Sequence, residues 1–349
     1  MAEDAAPAWR NPDIGAVLVT GAAGFIGFHV ARRLCRDGAR VVGIDNLTPY
    51  YDPALKRARL AELAELPNFA FHELDITDAG RVAGLVRDEA IGQVVHLAAQ
   101  PGVRHSLTHP FDYTKANIEG FLSILEACRH NGVGHLVYAS SSSVYGTQAR
   151  QPFDEHAPSV HPISLYAATK RANELMAHTY SHLYALPTTG LRFFTVYGPW
   201  GRPDMAPFKF TRAILAGEPI ELYNFGEMSR DFTYVDDVVE GVVRILARPP
   251  QPDPHWNPVD PDPATSAAPW RVYNIGNDSA VGLWDFVRAI EAATGREAAV
   301  ELKPMQPGDV RSTLASVDDL REAVGFRPDT PIREGVKRFV DWYVDYYGR

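Results

Sequence analysis

A tyrosine and a lysine four residues apart, Tyr166 and Lys170, have the types and spacing that best fit acid–base chemistry in this sequence. On a helix, residues i and i+4 lie on one face, so the phenol and the ammonium group would face the same site. A phenol has an unperturbed pKa near 10, and its deprotonation at neutral pH costs about 4 kcal/mol. A cation about 6 Å away contributes roughly 3 kcal/mol at an effective dielectric constant of about 20. The spacing therefore predicts a tyrosine base that the lysine charge supports.

Four consecutive serines at positions 140–143 precede this pair in the chain. They end a β-rich run, at the place where a parallel sheet presents residues to its ligands. A hydroxyl both donates and accepts hydrogen bonds, so Ser141 can relay a proton between a substrate and Tyr166. The alternative for Ser141 is a hydrogen bond that caps the end of the strand. The candidate catalytic residues are therefore Tyr166, Lys170 and Ser141.

A glycine pattern at residues 21–27 lies between an apolar run and a helix-length segment. The first glycine permits a tight turn, the second lets backbone N–H groups approach a pyrophosphate, and the third lets the helix pack on the strand. The N-terminus of that helix supplies partial positive charge. The pattern predicts a dinucleotide site formed by Gly21, Gly24, Phe25, Ile26 and Gly27.

An acid, Asp45, follows the first of these glycines by 24 residues and ends the second β-rich run. An acid there accepts hydrogen bonds from both ribose hydroxyls and repels a 2′-phosphate, so NAD is favoured over NADP. Asp75, after the third run, is expected either to face the adenine or to cap the next helix. The other candidate cofactor-binding residues at strand ends are Asn46, Ile76, Leu97, Ala98 and Ala99.

The elements that must position these residues are short β-rich runs alternating with helix-length segments. Strands are predicted at 16–20, 40–44, 69–74, 93–97, 135–140, 188–192 and 272–275, and later helices at 283–294 and 332–347. This alternation predicts an α/β fold, a Rossmann-type doubly wound parallel sheet with helices on both faces. A Pro/Gly-rich loop after Tyr197 and shorter elements beyond it predict a smaller α+β substrate-binding lobe.

The domain boundaries follow from these changes in pattern. Residues 1–14 are expected to form a flexible tail, and residues 15–198 the NAD-binding Rossmann domain, with a returning segment near 232–270. Residues 199–231 and 271–349 are assigned mainly to the substrate lobe.

Charge and composition exclude several classes of function. A net charge of -9 repels nucleic acid and anionic membranes, so an anionic ligand must meet local cations. Two cysteines are too few for a disulfide framework or a thiolate metal site, and they fit a reducing cytoplasm. No apolar run approaches the roughly 20 residues that span a bilayer. His105 and His109 have no evident third ligand, so no metal is expected.

The glycine pattern with Tyr166 and Lys170 resembles the extended short-chain dehydrogenases, over approximately residues 16–347. Three further stretches look like UDP-glucuronate 4-epimerases, of the NAD-dependent epimerase/dehydratase family: RFFTVYGPWGRPDMA at 192–206, LYNFGEMSRD at 222–231 and MQPGDV at 305–310. An insertion ending in PATSAAP at 263–269 is similar to bacterial members. The resemblance implies reversible interconversion of UDP-glucuronate and UDP-galacturonate at carbon 4, with tightly bound NAD.

The resemblance also implies residue roles. Tyr166 takes the O4 proton, hydride moves to NAD, and the transient 4-keto sugar turns over before hydride returns to its other face. Phe193 flanks the nicotinamide, the backbone at Leu222 and Tyr223 meets uracil, and Arg230 meets the diphosphate. A guanidinium group clamps a planar carboxylate with two hydrogen bonds. The residues implied to converge on the sugar acid are Ser142, Ser143, Thr195 and Arg202.

Alternatives remain open at this point. A UDP-glucuronate decarboxylase would share the substrate, the cofactor and the 4-keto acid, and another UDP-sugar 4-epimerase would share the chemistry. A sugar 4,6-dehydratase usually carries an Asp-Glu pair where this chain has Ser142 and Ser143. A non-catalytic NAD-sensing protein would need Asp45 but not Tyr166. The resemblance further suggests a homodimer joined through helices at 111–131 and 163–185.

Overall fold

A computed structural model of the chain describes residues 15–148, 150–306 and 308–348, so the predicted tail, 1–14, lies outside the described residues. The strands are β1 (Ala16–Thr20), β2 (Val41–Asp45), β3 (Phe69–Glu73), β4 (Ile91–His96), β5 (His135–Ser141), β6 (Thr188–Phe193), β7 (Thr195–Tyr197), β8 (Ile220–Leu222), β9 (Ser229–Tyr234), β10 (Trp270–Ile275), β11 (Ala280–Gly282) and β12 (Val300–Leu302). The helices are α1 (Phe25–Arg36), α2 (Pro53–Ala64), α3 (Ala79–Asp88), α4 (Pro110–Tyr113), α5 (Gly120–His130), α6 (Leu165–Tyr184), α7 (Ala206–Ala216), α8 (Val235–Leu246), α9 (Leu283–Thr294), α10 (Asp318–Val324) and α11 (Ile332–Tyr347).

The large sheet has seven strands in the order β10-β6-β5-β4-β1-β2-β3, and every neighbouring pair is parallel. The strand order changes direction between β1 and β4, which opens a crevice at the carboxyl ends of the strands. This confirms the predicted doubly wound α/β fold. Predicted strand ends differ from the observed ones by no more than two residues.

Both faces of the large sheet are covered, as its apolar strands require. Along β1, Val17 and Val19 belong to one buried cluster together with Phe28 of α1. Ala16 and Leu18 point to the other face and pack with Phe121 of α5. The strand is therefore buried along its whole length, which explains the absence of polar alternation in its sequence.

The smaller lobe contains a three-stranded sheet, β11-β9-β7, and a two-stranded parallel pair, β12-β8. Helices α7, α9 and α11 contribute Phe208, Phe286 and Phe339 to the same buried cluster that covers one face of the large sheet. This arrangement confirms the predicted α+β lobe. The continuous core holds the lobe against the carboxyl ends of the large sheet.

One predicted boundary differs from the structure. Residues from 271 onward were assigned to the smaller lobe, whereas β10 pairs in parallel with β6 over six residues of the large sheet. Val272 and Ile275 are fully buried there. The strand pairs with β6 and forms one edge of the seven-stranded sheet. The rest of the division into two lobes stays a prediction.

Candidate active site

The glycine turn between β1 and α1 has the backbone geometry of a phosphate cradle. Gly21 has a φ of +71°, and a Cβ atom there would lie 2.9 Å from the backbone nitrogen of Ala98. A Cβ at Gly24 or Gly27 would lie 2.9 or 2.1 Å from the carbonyl oxygen of Gly21. The first turn of α1 carries no acidic residue and no side-chain cap, so its N–H groups are open to an anion. These residues fit a dinucleotide pyrophosphate.

Asp45 ends β2 beside the cleft and is 7% exposed. Its Oδ1 accepts hydrogen bonds from the backbone N–H of Leu47 at 2.8 Å and from Lys56 Nζ at 3.3 Å. Sequence reasoning missed Lys56, which is 6% exposed. The sequence could have indicated this residue, because Lys56 directly follows the apolar Leu55. Both residues lie on the buried face of α2. Both of these contacts are made to Oδ1, and the Asp45 carboxylate can also accept hydrogen bonds from a ribose.

Asp75 has two expected roles, and the structure separates them. Its carboxylate accepts hydrogen bonds from Asn46 Nδ2 at 2.9 Å and from the N–H and hydroxyl groups of Thr77 at 2.9 and 2.8 Å. Helix α3 is capped by Asp78, which accepts from Arg81 N–H at 3.1 Å. The helix-cap interpretation of Asp75 is therefore wrong. Burial opposes ionisation, but the bonds from Thr77 and Asn46 hold the pKa of Asp75 below its usual value.

A side chain of β1 fixes the backbone at the end of β4. Thr20 Oγ1 accepts hydrogen bonds from the backbone N–H groups of Leu97 and Ala98 at 3.1 and 3.0 Å. The same oxygen lies 2.8 Å from His96 Nδ1. This network fixes the turn that contains Leu97, Ala98 and Ala99, which the sequence predicts to bind the cofactor. The small side chains let that backbone form the wall of the cleft.

Tyr166 and Lys170 lie in the first two turns of α6, whose N-cap, Ser164, accepts from the N–H of Ala167 at 3.1 Å. Burial raises the pKa of Tyr166, and a hydrogen bond with Ser141 and the charge of Arg202 oppose that shift without cancelling it. Arg202 therefore acts on this phenol as a cation that the sequence did not assign to that role. The electrostatic support that Lys170 gives the tyrosine base stays a prediction.

Lys170 is buried, and its Nζ donates to the carbonyl oxygen of Ala139 at 2.9 Å. Burial lowers the pKa of Lys170 to about 8. The hydrogen bond ties α6 to the end of β5, two residues before Ser141. Lys170 therefore aligns α6 and β5, the two elements that carry Tyr166 and Ser141. Lys170 also lines the cleft.

The serine run turns sharply at the end of β5. Ser141 Oγ accepts from the N–H of Ser143 at 3.2 Å, at the start of a 3₁₀ turn over Ser142–Tyr145. The strand-end interpretation and the relay interpretation of Ser141 are thus compatible, because the same hydroxyl also contacts Tyr166. The turn directs Ser142 and Ser143 toward the cleft.

A buried ion pair behind the site escaped sequence analysis. Glu174, one turn beyond Lys170 on α6, receives two hydrogen bonds from Arg192 of β6 at 2.8 and 2.9 Å, and neither side chain is exposed. Ser140 Oγ donates to the same carboxylate at 2.6 Å. This network joins α6, β5 and β6. The sequence signal was a charged residue within a strand that otherwise reads as buried.

Arg202 lies in the loop after β7, and it faces a carboxylate of the chain itself. Its Nε and Nη2 donate to Asp204 at 3.0 and 2.5 Å. Thr195 begins β7 and lines the same cleft. The loop thus brings a charged guanidinium group close to Tyr166.

The residues predicted to meet the nucleotide lie only partly in the main cleft. Arg230 donates to Asp309 at 2.7 Å and lies in a small pocket that adjoins the main cleft at Ser142, Ser143 and Thr195. Leu222 is fully buried, and its carbonyl oxygen accepts from the N–H of Lys303 at 2.9 Å. Tyr223 lines the cleft beneath Arg104, whose guanidinium carbon lies 5.0 Å from the tyrosine ring centre.

One cleft of about 1310 Å³ brings most of the predicted residues together. Its walls include every predicted cofactor-binding and catalytic residue: Gly21, Gly24, Phe25, Ile26, Gly27, Asp45, Asn46, Asp75, Ile76, Leu97, Ala98, Ala99, Ser141, Tyr166, Lys170 and Phe193. They also include the predicted substrate residues Ser142, Ser143, Thr195, Arg202 and Tyr223. Leu222 and Arg230 are the predicted site residues outside its lining.

In residues 15–148, 150–306 and 308–348, no group of three or more His, Cys, Asp or Glu side chains could hold a metal ion. None of the helices in that part of the chain has the length and apolar character needed to cross a membrane. His105 and His109 stack with their ring centres 4.0 Å apart.

The sequence profile of the NAD dependent epimerase/dehydratase family matches residues 17–258. A probable UDP-glucuronate 4-epimerase from Rhizobium meliloti is 49% identical over 339 residues, which cover 95% of this chain and 98% of that protein. Protein CapI from Staphylococcus aureus is 53% identical over 331 residues, 95% of this chain and 99% of that protein.

A solved structure shows the same fold. The crystal structure of UDP-glucuronic acid 4-epimerase from Bacillus cereus, in complex with UDP-glucuronic acid and NAD, superposes with a TM-score of 0.84 at 31% identity. The match covers 95% of this chain and 100% of that one. Sequence profile, relatives and architecture agree with the site geometry described above, and this chain belongs to the NAD dependent epimerase/dehydratase family.

Proposed function

We propose that this protein interconverts UDP-glucuronate and UDP-galacturonate by inverting carbon 4, with NAD as a resident cofactor. The observation that carries the proposal is the position of Arg202, whose charge acts on Tyr166 within the cleft that also contains the glycine turn. A cation beside the catalytic phenol suits a sugar that carries an acid next to the reacting carbon. The named relatives and the structural neighbour support the same substrate.

The residues around the glycine turn would hold the cofactor. The N–H groups at the start of α1 would meet its pyrophosphate, and Asp45 would accept hydrogen bonds from its adenosine ribose. Asp75 and Ile76 would lie along the adenine, and Phe193 would flank the nicotinamide. When bound, NAD supplies the acceptor and donor of a hydride. The Asp45 carboxylate would disfavour the 2′-phosphate of NADP, because like charges repel.

Tyr166 would take the proton from the sugar O4 and return it after the sugar has turned over. Burial makes this phenol a poor base by itself, so the groups that lower its pKa matter. Ser141 contacts the phenol and can share the O4 proton with it. Lys170 holds α6 against β5 through Ala139, which keeps the phenol and the serine hydroxyl in register.

Residues on two loops would bind the sugar acid and the nucleotide. Arg202, with Thr195, Ser142 and Ser143, would hold the C5 carboxylate and limit the ring geometries in which a 4-keto acid loses CO₂. Arg230 would meet the diphosphate, and the backbone at Leu222 and Tyr223 would meet uracil. Asp309 neutralises Arg230 in the present structure, so a diphosphate would share or replace that contact.

Product analysis tests this assignment. The purified protein is incubated with UDP-glucuronate, and the products are followed by proton NMR. We expect UDP-galacturonate, with no requirement for added reductant and little release of NADH. Formation of UDP-xylose and CO₂ would identify a decarboxylase, and stoichiometric NADH would identify a net dehydrogenase. No conversion with intact NAD binding would favour a sensing protein.

We also propose that the enzyme works as a homodimer in the cytoplasm. Helices α4, α5 and α6 expose apolar side chains that the core does not use: Phe111, Leu122, Leu175, Leu183 and Tyr184. Exposed apolar groups on neighbouring helices are a common feature of subunit contacts. Two copies joined through these helices would bury them.

A further inference from the structure

Asp204 fixes one edge of the Arg202 guanidinium group. Nε lies 3.0 Å from Oδ1 and Nη2 lies 2.5 Å from Oδ2, which is a two-point contact between planar groups. Such a contact sets the plane of the guanidinium group as well as its position. The pair uses Nε and Nη2, and leaves Nη1 outside it. A second planar anion would therefore have to meet N–H groups of Arg202 outside this contact.

Tyr50 holds Asp204 from the other side. Its hydroxyl donates to Oδ2 at 3.1 Å. A Cβ atom at residue 102 would lie 2.6 Å from this hydroxyl, so the tyrosine occupies space that Gly102 leaves open. Burial raises the pKa of Tyr50 to about 12, and the Asp204 charge acts in the same direction. The hydroxyl therefore keeps its proton near neutral pH and remains a donor.

The acid and the guanidinium group are both charged in this cluster. Burial disfavours ionisation of Asp204, but Arg202 and Tyr50 hold the pKa of that carboxyl below its usual value. Burial also disfavours the Arg202 cation. The charge and hydrogen bonds of Asp204 outweigh that effect, so the pKa of Arg202 is raised. This ion pair holds Arg202 in one orientation, in which its guanidinium group lines the cleft.

The segment that carries Tyr50 reaches the Arg202 loop at a second point. Arg59, fully buried on α2, donates to the carbonyl oxygen of Ala23 in the glycine turn at 2.8 Å. It also donates to the carbonyl oxygen of Trp200 at 2.6 Å, two residues before Arg202. The chain that follows Asp45 thus contacts the loop that bears Arg202 at two points, and Arg59 also binds the glycine turn.

We propose that Asp204 and Tyr50 are positioning residues that orient Arg202 toward the carboxylate of the sugar. The segment after β2 then contributes to the selection of an acidic sugar as well as to cofactor binding. This inference rests on the proposed function, because it requires a substrate with a carboxylate at C5. In this proposal the effect of both residues passes through Arg202, which they contact directly or through each other.

The test compares two sugars in two conservative variants of the NAD-loaded protein. Asp204→Asn keeps the shape of the side chain but loses the second acceptor oxygen and the charge. We expect the KM for UDP-glucuronate to rise about tenfold, as for one lost charge-assisted contact, with a smaller change in kcat. Affinity for UDP-glucose, which has no carboxylate, should stay within about twofold. Tyr50→Phe should act in the same direction, by about threefold.

A pH profile distinguishes this role from a general loss of structure. The Asp204 charge partly cancels that of Arg202, whose field lowers the pKa of Tyr166. With Asn at position 204 the uncancelled Arg202 charge should lower the pKa of Tyr166 further. The rising limb of kcat/KM should then move to lower pH, whereas Tyr50→Phe, which keeps both charges, should leave the limb in place. Asp285→Asn, at an exposed position of α9, is the matched control.

Binding of both sugars is also measured by calorimetry, so that turnover is not the only readout. A wild-type protein that binds UDP-glucuronate but does not epimerise it would contradict the proposed function, while the comparison of sugars would still test Asp204 and Tyr50. Unchanged discrimination between UDP-glucuronate and UDP-glucose in both variants would overturn the positioning role. Tighter binding of the acid by Asp204→Asn would overturn it as well, because Asp204 would then be a competitor of the substrate.

Discussion

At the scale of single residues, the proposed chemistry depends most on Tyr166, whose surroundings disfavour ionisation of its phenol. Burial raises its pKa, and Ser141 and Arg202 only partly offset that effect. The positive charge of a bound oxidised nicotinamide would lower the pKa of Tyr166 further. The pKa of Tyr166 therefore depends on the charge of the bound cofactor as well as on the protein.

Replacing this phenol tests its role directly. Tyr166→Phe should lower kcat by about two to four orders of magnitude, the usual contribution of a positioned acid–base group, while UDP-glucuronate still binds. Steady-state kinetics and calorimetry measure the two effects. Tyr346→Phe, at a ring 37% exposed on α11, serves as the control. Normal turnover with weakened binding would remove Tyr166 from the chemistry.

Asp45 and its partner Lys56 allow a second prediction, on cofactor choice. Asp45→Ala removes the acceptor for the ribose hydroxyls and leaves the buried Lys56 without its carboxylate. NAD should bind roughly 10-fold or more weakly, and discrimination against NADP should fall, because a cation replaces an anion near the 2′ position. Titration of both dinucleotides measures the change. Unchanged affinity for both would show that Asp45 does not meet the ribose.

At the scale of elements, the sequence was most informative where contacts are local. The glycine turn, the strands of the large sheet and the Tyr166 helix all follow from periodicity and from residue spacing. The small lobe was predictable only in outline, since β8 and β12 are three residues long and pair across a long stretch of chain. Likewise, Arg230 meets Asp309, a partner 79 residues away that no local pattern indicates.

The same reasoning explains which site residues were missed. Asp204 lies two residues from Arg202, but the sequence alone does not show which loop acids turn toward a cation. Lys56 and Glu174 are charged residues on buried helix faces, where their partners come from other elements. The resemblance supplied residues that are predicted to contact ligands. It did not supply the residues that hold those contacts in place.

The Glu174–Arg192 pair should stabilise the alignment of α6 with the sheet. Glu174→Gln leaves the Arg192 cation buried and poorly compensated, which typically costs about 3–5 kcal/mol. The double variant with Arg192→Met removes both charges and should recover much of that loss, as measured by urea unfolding. Glu334→Gln, in an exposed pair with Arg338, should cost at most about 1 kcal/mol. A double variant as unstable as the summed single changes would contradict this account.

At the scale of the whole molecule, the assembly is open to a direct measurement. Phe111 is 83% exposed, and Leu175 and Leu183 on α6 are 56% and 60% exposed. Light scattering should give twice the chain mass of 38.5 kDa for the wild type. Leu175→Glu with Leu183→Glu should yield monomers, since two buried charges without partners oppose association. Val259→Glu, 91% exposed elsewhere, should leave the mass unchanged. A wild-type monomer would contradict the proposed dimer.

The molecule as a whole combines a cofactor cleft at the crevice of a doubly wound sheet with a lobe that shares its core. In such an arrangement the sugar can be oxidised, turned over and reduced without leaving the cleft. The central claim is that the hydrogen at carbon 4 is removed and returned within one turnover. This claim concerns the path of one atom, so an isotope can follow it.

The most direct test uses UDP-glucuronate labelled with deuterium at carbon 4, in ordinary water, with the NAD-loaded protein. The account predicts that UDP-galacturonate forms with the deuterium still on carbon 4, because the hydride returns from the same cofactor molecule. Mass spectrometry and proton NMR of the product at partial conversion give the retained fraction. UDP-galacturonate that has exchanged its deuterium for solvent hydrogen, or no UDP-galacturonate at all, would contradict the account.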